Sequence, residues 1–230
     1  MPFASAWDSV TFEGDPFMAS TDFGDIALFA KSRLVELQTL LVSGGVGVGF
    51  PTGPDSRLFR ADGTQVAWIK NEALHLLPFV GTIWAPNDYF YMQSFLQVDV
   101  DAHGNTVSGS ATGGRLPTIG KLSDTMLLNA DLSAGYWIFR DRGQNYVVQG
   151  LATIVELNYA TTLESADSVT GNGILITDAA NRLDVFDISA GVHTQLGQTL
   201  ALTTAFTFPL GSNYDKRADW EIAGLVSWLF

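Results

Sequence analysis

From residue 24 to the end of the chain, apolar residues return at every second position through nine stretches separated by polar or turn-forming residues. The stretches run at about 24–36, 38–51, 72–85, 88–101, 124–140, 144–159, 182–196, 198–210 and 217–230. The eighth is the plainest. Leu200, Leu202, Thr204, Phe206, Phe208 and Leu210 take one parity, and the small or polar Thr199, Ala201, Thr203, Ala205 and Thr207 take the other. In the fourth, Phe90, Met92, Leu96, Val98 and Val100 oppose Tyr91, Gln93, Gln97, Asp99 and Asp101. In the seventh, Phe186, Ile188, Ala190 and Val192 oppose Asp187, Ser189, Gly191, His193 and Gln195. A period of two with one apolar and one wetter face is a strand signature, because successive Cβ atoms point to opposite sides. The chain therefore reads as all-β.

The connections alternate in length. Short links fall near Glu36-Leu37, at Ala85-Pro86-Asn87, at Asp141-Arg142-Gly143 and at Leu196-Gly197-Gln198. Between these pairs lie the longer polar stretches PTGPDSRLFRADGTQ, AHGNTVSGSATGGRLPTIGKLSD and ATTLESADSVTGNGILITDAA, followed by the shorter GSNYDKR. Tight turns alternating with long loops characterise transmembrane β-barrels, with the turns in the periplasm and the loops outside. A soluble β-sandwich has no reason to segregate its loops by length so consistently.

Composition agrees with the barrel reading. Hydrophobic residues make up 47% of the 230 residues and charged residues only 16%, where about 25% charged is usual for soluble domains. No run reaches the roughly 18 apolar residues of a transmembrane helix. With no cysteine there is no disulfide framework or thiolate metal site. A net charge of −12 argues against nucleic acid as a partner, since binding it needs a basic face.

The closing strand, ADWEIAGLVSWLF, ends on Phe230. A terminal aromatic on an alternating strand resembles the end of bacterial outer-membrane barrels, which the barrel-assembly machinery reads. With the tight turns in the periplasm, the ninth strand runs inward and places Phe230 on the periplasmic side. The same counting makes the first strand run inward, and two neighbours running the same way cannot close an antiparallel ring. An outward strand is therefore expected before residue 24. Residues 1–22 lack the basic start and apolar stretch of a signal peptide, and they read as the remnant of an earlier strand plus a loop. The expectation is one antiparallel up-and-down transmembrane β-barrel over 1–230. Residues 23–230 supply nine strands, nine to ten lie in this chain, and the complete, N-terminally longer protein has ten to twelve, because such barrels are even-numbered.

The faces then assign themselves. The inner face takes the charges, which at mid-bilayer on the lipid side would each cost about 2–4 kcal/mol. Candidates for lining and selectivity are Lys31, Arg33, Gln97, Asp99, Asp131, Glu156 and Asp187, with Asp101 and Glu221 on the same parity. Charged lumen residues tune which solutes enter a pore; paired with one another they would instead plug it. Gly45, Gly47 and Gly49 leave space, or room for bulky inward neighbours such as Trp137 and Phe139. Trp84, Tyr89, Tyr136, Tyr159, Trp220 and Trp228 gather near strand ends, where interfacial aromatic girdles sit.

Several stretches resemble outer-membrane transporters grouped with the phenol-degradation meta-pathway proteins. They are FGDIALFAK (23–31), LVSGGVGVGFPTG (41–53), ALHLLPFVGTIWAPNDYFYMQSFLQVDVDAHGN (73–105), VELNYATTL (155–163) and the closing strand. PTG after a glycine-rich strand and FLQ-x-D entering a loop recur together in that group. The resemblance implies a barrel in the bacterial outer membrane that passes small molecules, hydrophobic or aromatic ones included, with no catalytic residue and no cofactor.

Other chemistry is thinly supported. DVDAHGN (99–105) loosely resembles a calcium loop but lacks its closing glutamate, and an Asn/Gly turn explains it more simply. Outer-membrane hydrolases use Ser, His and a carboxylate; here His75, His103 and His193 are the bases available. Ser189 and His193 share a face, yet four residues along a strand separate them by roughly 13 Å. No phosphate-binding glycine motif or HExxH is present. Three readings stay open: a channel, a plugged barrel whose long loops bind a partner, and a lipid-active hydrolase.

Overall fold

The computed structural model describes residues 24–141, 146–164, 167–177, 182–211 and 218–228. Residues 1–22 and Phe230, to which a preceding strand and an assembly signal were assigned, lie outside them. The protein is all-β with antiparallel sheets. Nine long strands form one sheet in meander order: β1 (Ile26–Glu36), β2 (Leu40–Phe50), β5 (His75–Trp84), β6 (Phe90–Asp101), β9 (Leu127–Arg140), β10 (Val148–Thr162), β13 (Asp184–Leu196), β14 (Leu200–Pro209) and β15 (Glu221–Trp228). Each corresponds to one of the nine alternating stretches.

The sheet curls strongly. Ile83 on β5 and Leu225 and Ser227 on β15 line one cavity, although six strand spacings, about 29 Å along the sheet, separate them. Among the described residues, β1 and β15 each pair on one side only, so the curl is open and no ring is closed. The two edge strands run in the same direction, as nine antiparallel strands require.

Burial is inverted with respect to a soluble sandwich. The buried apolar side chains are small, such as Ala152, Val185 and Ala201. The large ones stand out on the convex face, with Leu28 at 63%, Phe206 at 53% and Val226 at 67% exposure. Within the nine strands every charged side chain except Asp184 falls on the concave parity. Asp184 begins β13 at the long-loop end, where Tyr159 and Thr161 donate to it and Arg182 pairs with it at 2.9 Å. Even the convex hydroxyls of Thr82 and Ser94 are satisfied, by each other, at 2.7 Å.

The long connections are not irregular loops. They carry six short strands: β3 (Ser56–Phe59), β4 (Gln65–Ile69), β7 (Asn105–Gly109), β8 (Thr118–Leu122), β11 (Ser168–Gly171) and β12 (Ile174–Thr177). The first four form a sheet in the order β3-β4-β7-β8, and the last two form a hairpin. The hairpin turns on Asn172 (φ 48°) and Gly173 (φ 76°), the left-handed pair that a two-residue type I′ turn demands. It docks on the four-stranded sheet: Ala111 N donates to Asn172 O at 2.9 Å, and Asn172 Nδ2 donates to Gly109 O at 3.2 Å. Ile119 and Val169 fill the spaces over Gly171 and Gly120. Val107, fully buried, and Ala67 and Ala73 form the interior of this cap.

Asp55 fastens the approach to the cap, accepting from Asn71 N at 3.0 Å and from Trp68 Nε1 at 2.9 Å. The Asn71 backbone N–H, then the Trp68 indole, hold its carboxyl below the ordinary carboxylate range. A depressed folded value means that this stabilisation is complete above the unfolded pKa and is lost as pH falls through the folded one. Trp68 fluorescence is therefore expected to shift only in acid, whereas Asp55→Asn shows the shifted emission already at neutral pH. Emission of Asp55→Asn that matches the parent at every pH would remove this role.

Candidate functional site

The register brings the predicted inner residues into three transverse rows on the concave face. The first runs Arg33, Ser43, Gly81, Phe95, Asp131, Asn158, Asp187. On the loop side of it lie Lys31, Gly45, Phe79, Gln97 and Asn129, and on the turn side Gln93, Ser133, Glu156, Ser189, Thr207 and Glu221. These are neighbours across strands, which is why residues so far apart in the chain share one wall.

Two cavities meet at the middle of this wall. One, of about 340 Å³, is lined by Lys31, Ser43, Phe79, Phe95, Asp131 and Glu156 among others. The next, about 330 Å³, is lined by Asp131, Glu156, Asn158, Asp187, Ser189 and Glu221 among others. Asp131 and Glu156 belong to both. Asn158 lies between them. With its amide oriented to satisfy its neighbours, its nitrogen donates to Asp131 Oδ1 at 3.0 Å and to Glu156 Oε1 at 2.6 Å, and its oxygen accepts from Ser189 Oγ at 3.3 Å.

Aromatic rings line the rest, and glycines make room for them. A Cβ on Gly45 would lie 2.7 Å from Phe79 Cζ, and one on Gly150 would lie 2.5 Å from Trp137 Cζ3. Phe29 lies over Gly47 and Tyr91 over Gly135 in the same way. Phe29, Phe79 and Phe95 form one chain of ring contacts, with centroids 6.1 and 5.7 Å apart. Tyr91, Trp137 and His193 form another, at 6.2 and 5.7 Å, with the Arg140 guanidinium 5.0 Å from the Trp137 ring centre. Both the second chain and Arg140 line the cavity near the tight turns. Strand glycine opposite an inward aromatic is the sequence signal that locates these rings.

The predicted residues divide accordingly. Lys31, Asp131, Glu156 and Asp187 line the central cavities. Gln97 shares the face one row from Asp131. Arg33 sits at the open edge in an exposed ion pair with Glu36 at 2.6 Å. Asp99 does not stand free on the wall: His75 Nδ1 lies 2.6 Å from its Oδ1, and the same ring's Nε2 lies 3.2 Å from Asp124 Oδ2. This network joins β5, β6 and the connection after β8, a long-range meeting that no local spacing announces. Phe139, expected to point inward, points outward instead and packs on Tyr146. A bulge causes it, since Trp137 pairs with Ala152 and Phe139 with the next residue, Leu151. The extra residue reverses the parity.

Trp84, Tyr89, Tyr136 and Trp228 are exposed near the tight-turn ends of their strands, and Tyr159 and Trp220 near the long-loop ends. In DVDAHGN the carboxylate is spent on a turn. Asp101 accepts from His103 N and Gly104 N at 2.8 Å each and from Asp124 N at 2.8 Å, with Gly104 at φ 72°. Asn105 Oδ1 is occupied by Glu72 N and Ala73 N. The oxygens that a cation would need are thus facing N–H donors. His193 Nδ1 contacts Thr203 Oγ1 at 2.8 Å, and Ser189 turns to Thr207 Oγ1, also at 2.8 Å, so the two do not form a nucleophile–base pair.

No protein-family model, curated protein or solved structure matches the chain.

Replacing Asn158 by Leu takes the shared donor from Asp131 and Glu156 and leaves two like charges facing each other. The expected loss is about 1–3 kcal/mol in unfolding free energy, read from urea midpoints. Asn158→Leu with Glu156→Gln in the same chain recovers part of it, which a purely steric defect would not.

Proposed function

We propose that this chain is an outer-membrane β-barrel through which small molecules pass passively, hydrophobic and aromatic ones included. The observation that carries the reading is the inverted face pattern. The convex surface of nine paired strands is apolar and free of charge short of its rim, and such a continuous patch on a folded protein calls for an apolar medium against it. Aromatic residues at both strand ends fit the two interfaces of a bilayer. The polar, cavity-bearing concave face then becomes the lumen, and the side bearing the six short strands becomes the exterior.

On this reading a further strand completes the ring between β1 and β15, since the backbone N–H and C=O groups of an open edge have no partner in hydrocarbon. Lipid is the partner of the convex face, a small solute that of the concave one, and the barrel-assembly machinery acts through the final strand. The aromatic faces along the wall give apolar and aromatic solutes a surface to slide over, while the polar rows keep the passage wet. No step requires a cofactor or a catalytic group.

Two measurements test this. The full chain refolded into detergent is expected to run faster on an SDS gel before boiling than after, and proteoliposomes containing it are expected to swell in small sugars. A heat-modifiable chain that leaves the vesicles impermeable would replace the channel by a plugged barrel. Good β-structure in plain buffer without detergent would end the membrane reading altogether.

The two faces make opposite predictions for charge. Val155→Lys, on the convex side of β10, is expected to cost about 2–4 kcal/mol of folding free energy in lipid. Thr203→Lys, on the concave side of β14, is expected to be tolerated. Equal losses in urea titrations of the two vesicle-refolded variants would contradict the assignment.

A further inference from the structure

Apart from one Arg–Glu pair that neutralises itself at the edge, the concave wall separates its charges by sign around its circumference. Lys31 stands on β1 beside that pair, Arg33 and Glu36; in the three central rows the next three strands, β2, β5 and β6, contribute only uncharged residues, among them Ser43, Gly45, Gly81 and Phe79. Anions begin at β9 with Asp131 and continue through Glu156, Asp187 and Glu221. Measured along the sheet, Lys31 and Asp131 are four strand spacings apart, about 19 Å. Both nevertheless line the one central cavity, together with Glu156. The curl therefore brings Lys31 and the first of the anionic strands to one opening.

The opposite charges do not collapse onto each other. Among the described residues no ion pair joins Lys31 to Asp131 or Glu156. Small residues on β2 and Gly81 keep side chains out of the gap, and Asn158 holds the two carboxylates in place. Fixed charges of opposite sign on facing walls set up a field across the passage, strongest where the walls are close and the medium between them is thin.

We infer that the central cavity is a selectivity zone for small zwitterions, whose ammonium turns to the Asp131–Glu156 wall and whose carboxylate turns to Lys31. This rests on the channel reading and names the solute class that the same passage favours. A neutral molecule of equal size gains nothing from the field, and a simple cation or anion is held by one wall and repelled by the other. A dipolar ion satisfies both at once, which lowers the barrier to crossing the narrow zone.

The test is uptake of radiolabelled free glycine and of its uncharged isomer glycolamide into proteoliposomes containing the full chain. The two have the same formula and nearly the same size, so their ratio cancels the number of channels per vesicle. Glycine is expected to enter faster at low ionic strength. The ratio is expected to fall toward one in Lys31→Gln and in Glu156→Gln. It should fall likewise in the unaltered protein at about 1 M salt, where the screening length shrinks to roughly 3 Å. The salt arm needs no substitution, so it stands even where a variant folds poorly. Equal entry of the two isomers, or a ratio that neither the variants nor salt alters, overturns the zwitterion assignment and leaves the channel intact. Entry of neither isomer overturns the channel and the assignment with it.

Discussion

Everything in this protein hangs on the register of its nine-stranded antiparallel sheet. Side chains alternate with a period of two, so a slip of one residue in any strand would exchange its faces. For β10 that would put Glu156 among the leucines and valines and turn Val155 onto the polar wall. Tight connections pin the register where they occur: β1 turns into β2 within three residues, and β13 turns into β14 at Gly197, whose φ of 61° suits a glycine. Where the pairing breaks parity it does so at a bulge, as between β9 and β10, and the consequence is confined to one turn end.

The glycines follow from the same constraint. A strand glycine gives up packing and conformational entropy, yet β2 carries four within Gly44–Gly49. On the concave face Gly45 and Gly47 exist for their neighbours, since Phe79 and Phe29 lie across them. Rings seated over glycines come closer to the wall than a Cβ would allow, so the same contacts that fill the glycine gaps leave room for the cavities. Gly135 under Tyr91 and Gly150 under Trp137 repeat the device at the other end.

How much of this is readable in the chain depends on length and range. Long strands announce themselves because ten residues carry five alternations, which is why all nine are legible and why Asp131, Glu156 and Asp187 can be placed on one face. The six cap strands have four or five residues each, too few for a period, and their Ser, Thr and Gly content reads as loop. Only the turns betray them: Asn172-Gly173 and Asp62-Gly63 are hairpin signals inside stretches that otherwise look structureless. Phe139 is lost to a bulge. Asp99 falls on the expected face, but its contact with His75, which also reaches Asp124, is not legible, because these residues lie 24 before it and 25 after it in the chain. Short-range pattern fixes faces; it does not fix who meets whom at a rim.

The unpaired state of Lys31 bears on whether the interior is open. Two carboxylates and an ammonium withdrawn from water would each lose several kcal/mol of solvation unless they met one another directly. A filled interior would therefore drive Lys31 onto Asp131 or Glu156. Instead the acids share one amide donor, Asn158, and the lysine makes no ion pair with them across the cavity. Lys31 is itself exposed, so no buried charge is left waiting for a partner by the separation. On the channel reading, that separation calls for water against both walls. In the proposed barrel, then, the charges and the opening depend on each other: the water-filled gap keeps the charges apart, and the charges keep the gap wet.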